Sequence, residues 1–95
     1  MASNREYLYY VLELLKNVDN ISYKKMMGEY LLYKDKILFG GIYDNRFLIR
    51  KTESINNNLV EAIPYSGAKP MILIDNEDPS EIEKLVMIVL EDLKK

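Results

Sequence analysis

Apolar residues near the beginning of the chain recur at the spacing of an amphipathic helix. Within residues 3–18 they form one stripe, which consists of Leu8, Val11, Leu12, Leu15 and Val18. Ser3 and Glu6 have the spacing of a capping box, in which two side chains satisfy free backbone groups at a helix start. The pattern predicts a helix over Ser3–Val18, and this helix ends among Asn17, Asp19 and Asn20.

Between residues 21 and 51 the pattern changes to β-branched and aromatic runs separated by turn-forming residues. The breaks fall at Gly28, at residues 34–36 and at Asp44-Asn45. The predicted strands are Ser22–Met26, Glu29–Tyr33, Ile37–Tyr43 and Arg46–Lys51. Because Asp-Asn tolerates the positive φ angles of a two-residue hairpin turn, we expect an antiparallel meander.

A turn at Asp44-Asn45 also fixes which side chains share a face of the hairpin. Ile42 then lies opposite Phe47, and side chains alternate between the two faces along each strand. The face assigned to the core is nearly all apolar and carries Leu38, Gly40, Ile42, Phe47 and Ile49. The opposite face mixes aromatic residues with arginines and carries Phe39, Gly41, Tyr43, Arg46, Leu48 and Arg50.

The second half of the chain contains one ambiguous segment and three clearer elements. In residues 52–62, Thr52 suits a helix cap, whereas the asparagines at 56–58 have poor helix propensity. A loop is predicted over Pro64–Lys69 and a short strand over Met71–Ile74. The sequence from Asp78 through Pro79 to Glu81 is typical of a capped helix start, and this last helix is predicted to reach about Leu93.

The order of these elements predicts a single α+β domain over residues 1–95. An antiparallel sheet of about five strands, connected as a meander, is expected to turn its apolar face toward the core beneath the N- and C-terminal helices. A chain of 95 residues with 48% hydrophobic residues suits one small globular domain with a modest core.

Residues 85–90 of the final helix are all apolar and therefore cover more than one face. A helix on the surface of a small monomer is expected to show a single apolar stripe. Two interpretations follow: the helix lies centrally between other elements, or its outer face forms a dimer or partner interface. The candidate interface residues are Met87, Ile88 and Leu90.

The chain contains no cysteine and no histidine. Disulfides, thiol catalysis and zinc-thiolate sites are therefore excluded, and the most usual general base is missing. Asp75, Glu77 and Asp78 have oxygen ligands for a hard cation, but a solvated turn before a helix explains them better. We expect no enzymatic activity, no catalytic residues, no metal and no cofactor.

The glycine pair at 40–41 does not fit a phosphate-binding loop, because it lies inside a predicted strand rather than before a helix. The mixed face is more informative, since arginines beside aromatic residues are typical of interaction surfaces and tyrosine stacks on bases. Its candidate binding residues, with one added lysine, are Phe39, Tyr43, Arg46, Leu48, Arg50 and Lys51. The simpler alternative is that the arginine stems only cover half-exposed apolar surface. Lys69 is a further anion-binding candidate, although a lone loop lysine is usually just solvated.

The charge balance bears on the class of partner, and the apolar runs bear on the location of the protein in the cell. A net charge of -2 and a pI near 5.1 disfavour a nucleic-acid-binding module, although a local basic face remains an alternative. The first residues do not have the pattern of a secretion signal, and the longest apolar run, Leu85–Leu90, is too short to cross a bilayer. We expect a cytoplasmic protein without membrane contact.

Three segments of the chain form recognisable short motifs: MMGEYLLY (Met26–Tyr33), FGGIYDNRFLIRKTES (Phe39–Ser54) and PYSGAKPM (Pro64–Met71). Together they resemble the N-terminal domain of the bacterial TfoX/Sxy competence regulators, and the similarity spans nearly the whole chain in the order of its predicted elements. The resemblance implies a two-layer α+β domain from proteins that help the cyclic-AMP receptor protein activate DNA-uptake genes. Such regulators usually carry a second, helical C-terminal domain, for which these 95 residues leave no room.

The expected function is that of a stand-alone TfoX-like regulatory or adaptor module that acts by protein–protein contacts. It is expected to work as a homodimer or with another protein, and the resemblance links it to transcriptional regulation of competence. The alternative is a nucleic-acid-binding accessory protein that uses Arg46, Arg50, Lys51 and nearby tyrosines.

Overall fold

A computed structural model describes residues 3–55 and 58–94 of the chain. Two helices, α1 (Arg5–Leu14) and α2 (Pro79–Leu93), flank a sheet of six strands in sequence. The strands are β1 (Ile21–Met26), β2 (Glu29–Lys34), β3 (Ile37–Ile42), β4 (Phe47–Ile49), β5 (Glu61–Ala62) and β6 (Met71–Leu73). They pair antiparallel in the order β1-β2-β3-β4-β6-β5. The predicted α+β class is confirmed, and β5 makes the sheet one strand larger than expected.

The first four strands are joined by two-residue turns that share one backbone conformation. Both central residues have positive φ at Met27-Gly28, at Asp35-Lys36 and at Asp44-Asn45, as type I′ turns require. Tyr43 and Arg46 exchange both backbone hydrogen bonds around the last turn, at 2.9 and 3.0 Å. The predicted turn and its register are confirmed, since Ile42 lies opposite Phe47 and Gly40 lies opposite Ile49.

β3 contains a bulge that changes which side chains reach the core. Leu32 pairs with Gly40 whereas Tyr33 pairs with Leu38, so Phe39 is an extra residue between the two pairs. The Phe39 side chain is fully buried within the core, and Leu38 shares the opposite face with Tyr33. The predicted faces of Leu38 and Phe39 are therefore wrong, because one inserted residue reverses the alternation of side chains.

Both helices pack on one face of the sheet, as predicted, and close the hydrophobic core there. α1 contributes Leu8, Val11 and Leu14, and α2 contributes a single stripe of Ile82, Val86, Val89 and Leu90. These side chains meet the inward residues of the central strands, which include Leu32, Ile42, Phe47, Ile49 and Ile72. The opposite face of the sheet carries no helix among residues 3–55 and 58–94, and we call it the open face.

The two helices have different N-cap residues, Asn4 at α1 and Asp78 at α2. At α2, the Asp78 side chain accepts a hydrogen bond from the Ser80 amide at 3.0 Å, as the sequence predicts. At α1, the cap is Asn4, whose side-chain oxygen accepts from the Tyr7 amide at 2.7 Å. The predicted capping box of Ser3 and Glu6 is wrong, because the Ser3 hydroxyl is already used in a contact with Glu29 at 2.6 Å.

The ambiguous segment after β4 forms turns and then joins the sheet. Its described residues contain no helix: turns lie at 53–55 and 58–59, and β5 follows at Glu61–Ala62. Ser54 ties this segment to α2, since its hydroxyl donates to the Asp92 carboxylate at 2.7 Å. Residues 56 and 57 lie outside the described residues, so the asparagine run is only partly covered.

Candidate binding face

The open face is apolar over most of its width, although it lies away from both helices. Its central residue, Leu48, pairs with Gly41 on one side and Leu73 on the other and is completely buried. Around it lie half-buried apolar side chains that do not belong to the core packing, namely Leu31, Tyr33, Leu38 and Leu73. Two-faced burial of this kind explains why the strand sequences do not alternate cleanly between apolar and polar residues.

The loop of residues 63–70 is fastened to the β3–β4 hairpin beside the open face. The Arg46 guanidinium donates to the Ile63 carbonyl at 3.1 Å and to the Pro64 carbonyl at 3.4 Å, and its Nε donates to Tyr43 O. A tight turn follows, in which the Ala68 amide donates to the Tyr65 carbonyl at 3.0 Å. Arg46 therefore positions this loop, and most of its donors are already used.

Two tyrosines form the centre of the site. The rings of Tyr43 and Tyr65 lie 6.1 Å apart at a tilt of 53°, which joins the hairpin to the loop. The Tyr43 ring folds back over Gly41, where an added Cβ would lie 2.7 Å from the ring. Burial, assisted by Tyr65 and Glu29, raises the pKa of Tyr43, so its hydroxyl stays neutral at physiological pH.

A cleft of about 450 Å³ opens on one side of the tyrosine pair, and we call it the basic cleft. Three cationic side chains line it, Arg50, Lys51 and Lys69, together with Tyr43, Tyr65 and residues of loop 63–70. Lys51 is paired with Glu61 at 2.8 Å. Within the described residues, the Arg50 and Lys69 side chains have no ion pair or hydrogen bond. The cleft is therefore a concave site with two unneutralised cations beside two aromatic rings.

A second cavity of about 380 Å³ lies on the other side of the same tyrosines, and we call it the apolar groove. It is lined by Met26, Met27, Glu29, Leu31, Tyr43 and Tyr65. Met27 is 96% exposed and holds a positive φ of 52° at the tip of the β1–β2 turn. The Glu29 carboxylate is engaged by Ser3 and by the Asp44 amide, so the groove presents mainly methionine, leucine and tyrosine surface.

The structure separates the six predicted binding residues into three groups. Tyr43, Arg50 and Lys51 come together in the basic cleft. Arg46 holds loop 63–70 rather than pointing into a cavity. Phe39 and Leu48 are fully buried, so the prediction that they are exposed binding residues is wrong, in Phe39 because of the bulge and in Leu48 because neighbouring strands enclose it.

The predicted interface on the last helix also changes. Leu90 is 1% exposed and packs in the core, so it is not available to a partner and that prediction is wrong. Met87 and Ile88 are 38% and 36% exposed on the outer side of α2. The apolar run thus supplies buried residues on the side of α2 that faces the sheet and two exposed residues, Met87 and Ile88, on the other side.

No family model and no curated protein matches the chain. The resemblance to the TfoX/Sxy domain therefore stays a prediction that rests on three short segments and on their order. Among the described residues, no cluster of carboxylates gathers at metal-binding distance, and no helix is long and apolar enough to span a membrane. Of the proposed cation ligands, Asp78 caps α2, and Glu77 accepts a hydrogen bond from Tyr10.

The sequence does not predict Tyr65, Met26 or Met27 as site residues, and it favours a solvated loop position for Lys69. These residues reach the site through turns and through the Arg46 hydrogen bonds, none of which is periodic in the sequence. One signal was present: Met27 stands before Gly28 in a tight turn, where asparagine or aspartate is usual.

Proposed function

We propose that this domain is a small TfoX-like regulatory or adaptor module that binds a partner protein through its open face. The observation that carries the proposal is the pair of cavities joined at Tyr43 and Tyr65, one basic and one apolar. Concave surfaces lined by aromatic, methionine and arginine side chains have the composition of protein interfaces. The three motif segments support a role in transcriptional regulation of competence in the cytoplasm.

The site has features that favour recognition of a protein over chemistry. Its titratable side chains are tyrosine, lysine and arginine, together with Glu29, whose carboxylate is engaged by Ser3 and Asp44. Its apolar part is built from methionines, which adapt to the shape of a bound side chain. Met27, Tyr65 and Met26 are exposed in the free domain and would lose water-facing apolar surface on binding.

Affinity capture with surface variants tests this proposal. The immobilised domain is incubated with an extract of the organism that encodes it, and retained proteins are identified for the original sequence, Met27→Asn, Tyr65→Ala and Lys36→Asn. Lys36→Asn is the matched control, because it makes a similar change at a positive-φ turn position at the other end of the sheet. We expect a specific protein to be retained by the original chain and the control and lost from both site variants.

The proposal fails if all four forms retain the same proteins, since the open face would then not be the binding surface. Circular dichroism melts of each variant show whether the fold is intact. The identity of the retained protein tests the regulatory part of the proposal: a transcription regulator supports the competence link, and a protein of unrelated function contradicts it.

One observation favours the alternative, a nucleic-acid-binding accessory protein. Arg50 and Lys69 stand beside Tyr43 and Tyr65, which is the arrangement that binds a phosphate and stacks a base. Binding of a labelled single-stranded oligonucleotide at low salt, with affinity that falls steeply as salt rises, would favour this alternative. A homodimer through Met87 and Ile88 is a further form of the protein-contact proposal, and a monomer by light scattering at tens of micromolar would contradict it.

A further inference from the structure

We infer that the basic cleft and the apolar groove form one continuous site for an acidic segment of the partner protein that also carries apolar side chains. The inference rests on the proposed function and adds the chemistry of the partner. Three features of the described residues support it: two unneutralised cations, an adjoining apolar surface, and a wall that the two cavities share.

The first step concerns charge. Two carboxylates that touch the site already have partners: Glu61 pairs with Lys51, and Glu29, which lines the apolar groove, accepts from Ser3 and the Asp44 amide. Arg50 and Lys69 keep their charge without such a partner within the described residues. A guanidinium binds a carboxylate through two parallel hydrogen bonds, so the cleft is complementary to aspartate or glutamate side chains.

The second step concerns the apolar groove. Met26, Met27 and Leu31 supply an uncharged lining that suits a leucine-like or aromatic side chain. Since Tyr43 and Tyr65 form a wall of both cavities, a ligand that fills both must carry its anionic and apolar groups close together. A short peptide with neighbouring acidic and apolar residues meets this requirement.

A nucleic acid fits the same surface less well. An extended polyanion needs a track of cations, whereas the described site has two unpaired ones and the chain as a whole has a net charge of -2. The apolar groove presents no cation to a phosphate backbone. A small free anion would use Arg50 and Lys69 but would leave the groove empty.

Fluorescence anisotropy with labelled synthetic peptides tests the inference on the full domain. The probes are a short peptide that alternates leucine and glutamate, its leucine–glutamine and alanine–glutamate counterparts, and oligothymidylate of equal length. We expect the leucine–glutamate peptide to bind, and each counterpart to bind about tenfold more weakly, since each loses one half of the recognition. Oligothymidylate is expected to bind more weakly than the leucine–glutamate peptide at physiological salt.

Protein variants locate the binding. Arg50→Gln combined with Lys69→Gln is expected to weaken the leucine–glutamate peptide about tenfold and to leave the leucine–glutamine peptide unchanged. Met27→Asn is expected to weaken only the peptides that contain leucine. Lys24→Gln combined with Lys25→Gln is the charge-matched control, because both lysines are exposed on β1 and line neither cavity.

The inference is overturned if the leucine–glutamine peptide binds as tightly, if the double variant binds unchanged, or if oligothymidylate binds best. These outcomes differ from failure of the proposed function. In one such outcome, a host protein is retained by the original chain and lost with Met27→Asn while peptide binding does not depend on carboxylates. That result contradicts an acidic partner segment but supports the protein-binding role. If the Met27→Asn and Tyr65→Ala variants retain the same host proteins as the original chain, the protein-binding role of the open face is itself contradicted.

Discussion

Met27 has a left-handed backbone conformation that is unfavourable for a residue with its side chain. Its backbone holds a φ of 52°, in the left-handed region that glycine and asparagine tolerate and that costs other residues about 1–2 kcal/mol. Its side chain is 96% exposed, so little packing offsets this cost. Residues that break a local rule without a structural gain concentrate at functional sites, and Met27 lies on the rim of the apolar groove.

This conflict predicts that removing the methionine makes the domain more stable. Met27→Asn places an Asn-Gly pair in a type I′ turn, its most favourable sequence, and is expected to raise the free energy of unfolding by about 0.5–1 kcal/mol. Urea denaturation followed by circular dichroism measures the change.

Lys36→Asn serves as the comparison, because Lys36 holds a φ of 69° in an equivalent exposed turn. A similar gain is expected there. If Lys36→Asn stabilises the domain and Met27→Asn does not, then Met27 has a structural role in the fold, and its assignment to the binding surface loses its main support.

At the scale of the single element, β3 shows how two adjacent glycines have different roles. A Cβ at Gly40 would collide with the Leu48 carbonyl of β4 and lie 3.0 Å from the Ile49 Cα, so Gly40 permits close pairing of two strand backbones. A Cβ at Gly41 would meet the Tyr43 ring at 2.7 Å and the Tyr30 carbonyl at 2.8 Å. Gly40 therefore permits the strand pairing, whereas Gly41 also leaves room for the Tyr43 ring of the candidate binding face.

Substitution of Gly40 by alanine is expected to be severe because the colliding atoms belong to a backbone that cannot rotate away. We expect Gly40→Ala to lower the free energy of unfolding by about 3 kcal/mol or more. Gly67→Ala is a matched control at a different kind of glycine, since its φ is 89° and an added Cβ there meets nothing within 4 Å. It should cost only the conformational strain of about 1 kcal/mol. Equal losses in thermal melts of the two variants would show that crowding at Gly40 is relieved by backbone movement.

The same strand shows what the sequence could and could not predict. The turn at Asp44-Asn45 and the register beyond it were predictable, because turn chemistry and apolar alternation agree there. The bulge at Phe39 was not, since one extra residue leaves both flanking patterns intact and only the pairing with β2 reveals it. For the same reason, the sequence alone assigns Phe39 to the candidate binding face and Leu38 to the core.

The candidate binding face is only partly predictable from the sequence. Tyr43 and Arg50 follow from strand alternation, and Lys51 is the residue after Arg50, whereas Tyr65 and Lys69 reach the site because Arg46 holds their loop. A hydrogen bond between residues 17 or 18 positions apart has no local sequence signature. The residues predicted from the sequence therefore cover only part of the candidate site, and their role in binding stays a prediction.

At the scale of the whole molecule, β2 fixes α1 at both of its ends. Glu29, the first residue of β2, accepts hydrogen bonds from the amide and hydroxyl of Ser3, just before α1. Lys34, its last residue, is buried and donates to the Asp19 carboxylate at 3.0 Å, after α1. Hydrogen bonds that Lys34 donates to the carboxylates of Asp19 and Asp35 raise the pKa of Lys34, so its ammonium stays charged. A ten-residue helix spans about 15 Å and a six-residue strand about 20 Å, so β2 is long enough to reach the segments that flank both ends of α1.

Glu29 also contacts the β3–β4 turn, in addition to the segment before α1. Its carboxylate also accepts from the Asp44 amide at 3.1 Å, while the Ser3 hydroxyl accepts from the Asn45 amide at 3.0 Å and the Ser3 amide donates to the Gly28 carbonyl. One side chain therefore connects the chain before α1 with two hairpin turns. These turns border the apolar groove, so the carboxylate also keeps the groove's shape.

Replacing this carboxylate should weaken the fold and the binding face together. In Glu29→Gln, one oxygen becomes an amide donor that faces the Ser3 and Asp44 donors, so partly buried hydrogen bonds to Ser3 or exposed ones to Asp44 are lost. We expect the free energy of unfolding to fall by about 1–3 kcal/mol, and amide hydrogens of Asp44 and Asn45 to exchange faster with solvent.

Glu53→Gln is the control, because it removes the same charge from an exposed glutamate in a turn. It should leave the free energy of unfolding within about 0.5 kcal/mol of the original chain. The amide exchange rates of Asp44 and Asn45 should stay unchanged. Faster exchange at Asp44 and Asn45 without any loss of stability would mean that the carboxylate orders the turns but does not hold α1 to the sheet. An unchanged exchange rate with lower stability would mean the reverse, and would separate the support of the binding face from the support of the fold.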